Sequence, residues 1–202
     1  MCCSCAAALV VSALAAPASM AQDAVPAPAP PECGRVATTS TPLETTVDGL
    51  TWEPMLEAVP VLASPSLEQR VYLSAIDEVH AHVRLDGSRI GMATIMYDIC
   101  DIDADALQSR LSTIRVDLDQ AADVLAGLRP PDHLGAVHRN YAQVIRLYQQ
   151  GLAQMDLTVQ DGEAGHLRDA FPFTKTASDG LALLEALVWG PPLPEPAQTP
   201  GA

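Results

Sequence analysis

Between residues 66 and 189 apolar side chains return every three or four positions, the repeat of helices with one buried face. The clearest run is Leu107, Leu111, Ile114, Leu118, Ala121, Leu125 and Leu128, with Arg110, Arg115, Asp117, Asp119 and Asp123 on the other faces. It predicts an amphipathic helix with a coiled-coil-like seam. Asp103 or Asp105 is placed to cap its start. Pro130-Pro131 ends it, and Pro131 is placed to open the next helix. Upstream, Tyr72, Ile76, Val79 and Val83 predict a helix from Leu67 to about Leu85, begun by a Ser66/Gln69 capping box and stopped at Asp86-Gly87. Ser88 to Ile99 reads as a restart, with Ile90, Ala93 and Tyr97 in register. Downstream, Leu134, His138, Tyr141, Ile145, Tyr148, Leu152 and Met155 predict a helix from about Asp132 to Val159, turning at Asp161-Gly162. A last helix, Glu163 to about Trp189, carries Ala177, Leu181, Leu184 and Val188. Pro172 should kink or break it near Arg168 to Phe171.

Short connections force successive helices to be antiparallel neighbours. The expected fold is all-α: an antiparallel up-down-up-down four-helix bundle over residues 66–189. Composition agrees. Hydrophobic residues make up 49% of the chain but aromatic ones only 4%, so Ala, Leu and Val carry the core. Sandwiches and barrels draw instead on aromatic and β-branched residues.

The ends read differently. Residues 1–21 carry no charged side chain, Ala6 to Ala16 is an apolar run, and Ser19-Met20-Ala21 offers the small residues of a cleavage site. A signal peptide ending at Ala21 is the expectation, with a secreted or periplasmic destination. The absence of Lys and Arg from this segment departs from the usual pattern. A membrane anchor over Cys2 to Ala21 is the alternative, weakened by Pro17 and the many alanines. Residues 22–65 form a long irregular segment: a Pro-Ala run, a Thr-rich linker, then an apolar strap from Leu50 to Leu62 broken by Pro54 and Pro60. Residues 190–202 form a short Pro-rich tail expected to be disordered. Removing the leader leaves Cys33 and Cys100, which in an exported protein read as one disulfide. Two separate thiols are the alternative.

With 11 Lys and Arg against 25 Asp and Glu the net charge is -14, which speaks against nucleic acid and against anionic membrane surfaces. No span is expected after the leader. Asp98, Asp101, Asp103 and Asp105 resemble the first ligands of a calcium loop, but Ala106 and Ser112 stand where that loop needs Gly and Glu. An acidic helix start is the ordinary explanation, and weak calcium binding at these four aspartates is the alternative. Among the histidines, His80/His82 and His133/His138 have spacings that diverge on a helix. His138, set in an apolar stripe near Tyr141, is the candidate ligand. It would bind a metal with a second histidine from another helix, or a non-covalent haem with Met155 or Met92. Cys-x-x-Cys-His, Gly-x-Ser-x-Gly and phosphate-loop patterns are all missing, and Glu-x-x-His occurs once, at Glu163–His166, not as the pair a di-iron bundle needs. No cofactor or catalytic residue is assigned. The expected function is a non-enzymatic binding module, monomeric or dimeric. A groove at the small residues Gly91, Ala93 and Gly180 would take a small molecule or a peptide.

Overall fold

The structure, a computed structural model, describes Val47 and residues 49–190. Residues 1–46, 48 and 191–202, which hold the expected leader, most of the expected linker, Cys33 and the expected tail, lie outside the described residues. The described part is all-helical: α1 (Ala58–Ala63), α2 (Leu67–Asp98), α3 (Ala104–Gly127), α4 (Gly135–Asp161) and α5 (Gly165–Val188). The four long helices pack as a bundle in which α3 lies on α2, α4 on α3, α5 on α4, and α5 returns to α2. Side-chain contacts join the helices across these pairs. Arg115 meets Asp156 and Gln149 meets Asp119, Tyr148 meets Ser178, and Arg84 meets Glu185.

Local chemistry fixes the helix starts that the sequence marks. Ser66 Oγ accepts from Gln69 N, and Gln69 Oε1 accepts from Ser66 N, so the capping box is closed in both directions. Asp103 caps α3 by accepting from Ala106 N at 2.8 Å. The seam of α3 is buried from Leu107 through Leu125. Gly162 ends α4 in the left-handed conformation (φ 76°).

Three boundaries differ from the expectation, each because a tertiary contact or backbone constraint overrides a local signal. Asp86-Gly87 does not stop α2, which runs unbroken to Asp98. Both residues face the bundle: Asp86 is 1% exposed, and the missing Cβ of Gly87 makes room for the Tyr148 ring and hydroxyl. The glycine is there for close packing rather than for a turn. Pro172 lies inside an α5 that is not interrupted. Buried Leu167 and Ala170 before it and Ala177 after it hold both halves against the bundle. Helix α4 begins at Gly135 rather than at about Asp132, because His133 takes a left-handed backbone (φ 68°) that a helix cannot include.

Helix α4 is buried on more than its predicted stripe. Val137, Asn140, Val144, Leu147, Gly151 and Thr158 are also enclosed, so α4 is the axis of the molecule. The strap completes it. Ala58 of α1 is fully buried. Trp52 lies over Gly180 of α5, where no side chain would fit beneath the indole. Asn140 Oδ1 accepts from Glu53 N and Asn140 Nδ2 donates to Glu53 O, both at 3.0 Å. The Glu53 carboxylate accepts from Arg139 Nε at 2.7 Å, which holds its pKa below the ordinary carboxylate range. The segment before α2 is therefore pinned to α4 by side-chain-to-backbone bonds and to α5 by the packing of Trp52 on Gly180.

Candidate functional site

Helices α2 and α5 leave a groove of about 280 Å³ between them. Gly87, Ile90, Gly91, Thr94 and Ile95 line it from α2, and Leu167, Ala170, Phe171, Thr174, Lys175 and Ser178 from α5, with Met155 of α4 at the floor. Small residues at facing helical positions create the space. Nothing lies within 4 Å of a Cβ built on Gly91. The hydroxyls on the wall are spent on their own helices: Thr94 Oγ1 donates to Ile90 O, Thr174 Oγ1 to Phe171 O, and Ser178 Oγ to Thr174 O. What remains exposed to the groove is chiefly apolar. Ile95 and Phe171 are large and exposed beside it.

Of the small residues singled out in the sequence, Gly91 is in this groove. Ala93 is buried in the core, and Gly180 is covered by Trp52.

A second constellation lies in the core between α2, α4 and the end of α5. Tyr72 Oη pairs with His138 Nδ1, and Tyr141 Oη with His80 Nδ1, each at 3.0 Å. The His80 ring rests on Trp189 at 4.5 Å between centroids, and its Nε2 stands 3.8 Å from Glu185. His80 is 7% exposed. Burial lowers its pKa, with Arg84 adding to that and Glu185 and Asp77 opposing it. Burial also lowers the pKa of His138, helped by Arg139. Sequence reasoning passed over His80 because it weighed the residue only against His82. The useful signal was its place beside Ile76, Val79 and Val83 on the buried face.

Burial makes both histidines titrate lower in the fold than the ordinary value of 6.5 that they have in the unfolded chain. The unfolded state therefore takes up protons first as pH falls, and the stability present above about pH 6.5 is lost below it. Urea midpoints should fall between pH 7.5 and 5. His80→Gln, which keeps a hydrogen-bonding partner for Tyr141 but does not titrate, should flatten that slope. An unchanged slope in the variant would sink the assignment.

The other sequence candidates are not gathered at one place. His138 and Met155 are 17 residues apart on α4, about 25 Å at the helical rise. Met92 is exposed far along α2 from Tyr72, the partner of His138. Asp98, Asp101, Asp103 and Asp105 are all exposed at the α2–α3 connection, where Asp103 serves as the cap of α3. Cys100 occupies the turn after α2 with a left-handed backbone (φ 63°), closing a Schellman-type pair of bonds, Asp101 N to Met96 O and Cys100 N to Tyr97 O. Its expected partner, Cys33, lies outside the described residues. Among the described residues, one group of three side chains brings potential metal ligands together: Asp161, Glu163 and His166, within 4.8 Å of one another. It belongs to the α4–α5 turn, where Asp161 accepts from Glu163 N and faces His166 Nε2 at 2.9 Å.

Asp86 is the remaining polar group of the core. Arg89 Nη1 donates to Asp86 Oδ1 at 3.0 Å and to Asp117 Oδ2 at 2.8 Å, while Asp86 Oδ2 has no hydrogen-bond partner. Burial raises the Asp86 pKa, and Arg89 partly counters this.

No helix among the described residues is long and apolar enough to cross a membrane. No family model, curated protein or solved structure matches the chain. The fold and the geometry above therefore define it as an acidic helical bundle with an apolar interhelical groove.

Proposed function

We propose that the protein is an exported, non-enzymatic binding module whose groove between α2 and α5 takes a small apolar molecule. The observation that carries this reading is the groove itself, open at Gly91, floored by Met155 and walled by hydroxyls whose protons are already engaged. Its volume of about 280 Å³ is at the lower end of small-molecule sites, which argues for a slender ligand.

The test is binding of N-phenyl-1-naphthylamine, a neutral dye that fluoresces in apolar surroundings. A Cβ at Gly91 meets nothing within 4 Å, so Gly91→Leu should extend its side chain into the open space. It also replaces glycine inside a helix, which favours the fold by about 0.5–1 kcal/mol. The variant should lose dye affinity at least about tenfold while melting no lower than the parent. Full dye binding by Gly91→Leu would place the ligand elsewhere.

Export and the Cys33–Cys100 bridge belong to the same reading. The protein purified from its own host should begin at Gln22 and weigh about 2 Da less than its reduced sequence. A mass retaining residues 1–21 would overturn export, and a fully reduced mass would overturn the bridge.

A further inference from the structure

The chain contains one lysine, and it stands on the wall of the groove. No other charged residue lines that space. An anionic group needs donors, and Thr94, Thr174 and Ser178 have given theirs to carbonyls of their own helices. The Lys175 ammonium is the donor left. It is held by Asp179 Oδ1 at 2.7 Å, four residues along the same helix. Both side chains are well exposed, at 42% and 61%. An exposed pair of this kind is worth little, so an incoming anion displaces Asp179 at small cost. The remaining wall offers a track for one alkyl chain: from Gly87 to Ile95 it extends about 12 Å along α2. The volume of about 280 Å³ suits a single chain and not the paired chains of a membrane lipid.

We infer that the ligand is a medium-chain carboxylate whose alkyl chain lies over Met155 between α2 and α5 and whose carboxylate accepts from Lys175 Nζ. This rests on the groove being the ligand site. The negative charge of the whole chain slows the approach of such an anion but leaves the local pairing intact, since exposed charges beyond about 10 Å are screened at ordinary salt.

The experiment is displacement of N-phenyl-1-naphthylamine from the full chain by decanoate, decanol and decylammonium. Decanoate should compete better than decanol by up to about fivefold, the ceiling for an exposed ion pair, and decylammonium should be the weakest. Lys175→Gln should bring decanoate down to the level that decanol shows in the same variant. Asp179→Asn should strengthen decanoate. Equal competition by decanoate and decanol in the parent, or a decanoate preference that survives in Lys175→Gln, overturns the carboxylate while leaving the apolar groove in place. Dye binding that is absent, or indifferent to Gly91→Leu, removes the groove reading and the carboxylate with it.

Discussion

Replacing Arg89 with methionine should destabilise the bundle by about 3 kcal/mol at neutral pH, at the low end for a broken buried pair because Arg89 itself is half-exposed. The cause is Asp86. It is 1% exposed, and the only hydrogen bond to its carboxylate comes from Arg89. Without the guanidinium it must stay charged in an apolar place or take up a proton. The pKa already raised by burial rises further, so the deficit should shrink as pH is lowered toward 5. This is opposite in sign to the effect of His80 and His138. The double variant Asp86→Leu/Arg89→Met removes the buried charge with its partner and should recover most of the loss. Chemical denaturation of the three proteins at pH 7 and pH 5 decides it. A single variant as stable as the parent, or a deficit independent of pH, would show that Asp86 is not held as an anion by Arg89.

Asn140→Asp should detach the strap. The substitution keeps the size of the side chain but replaces the Nδ2 donor to Glu53 O with an acceptor, in a position that is 0% exposed. Two oxygens then face each other, and a charge is added beside the Glu53 carboxylate. The expected cost is about 3 kcal/mol. The loss should be local: far-UV helix content persists, while Trp52 leaves Gly180 and its emission moves to the red. Trp189→Phe serves as the background, so that Trp52 is the sole indole. An emission maximum unchanged by Asn140→Asp would mean that packing of Trp52, not the Asn140–Glu53 bonds, seats the strap. Arg139, bound to the Glu53 side chain, remains available to Asn140→Asp and limits the release.

The helices were legible because each carries a continuous stripe and chemically explicit starts. Leu107 to Leu125 and the Ser66/Gln69 box need no knowledge of neighbours. Asp86-Gly87 and Pro172 were misleading for one common reason. A local stop signal gives way when the residue is packed on both sides, and the packing partner, Tyr148 for Gly87, lies 61 residues away. The strap was legible only as apolar and proline-broken; its bonds to Asn140 depend on a meeting across 87 residues. At the candidate site Gly91 was visible as a small residue. Its significance depends on Ala170, Thr174 and Lys175 standing opposite, which follows from how α5 returns to α2 and from nothing periodic in either segment.

The clasp between Glu53 and Asn140 also orders events in time. Residues 51–53 are made, or emerge from an export channel, before any of their partners on α4 and α5. Closing a loop of that length is entropically slow compared with zipping one helix against its sequence neighbour. Gly180 belongs to α5, so Trp52 reaches its place only once that helix has been added. Until it does, the buried amide of Asn140 stays open to water, so its hydrogen-bonding needs favour completion once the rest is formed. The strap thus acts as a late checkpoint: chains truncated before α5 should leave it unseated, and refolding followed through Trp52 should lag behind the appearance of helix.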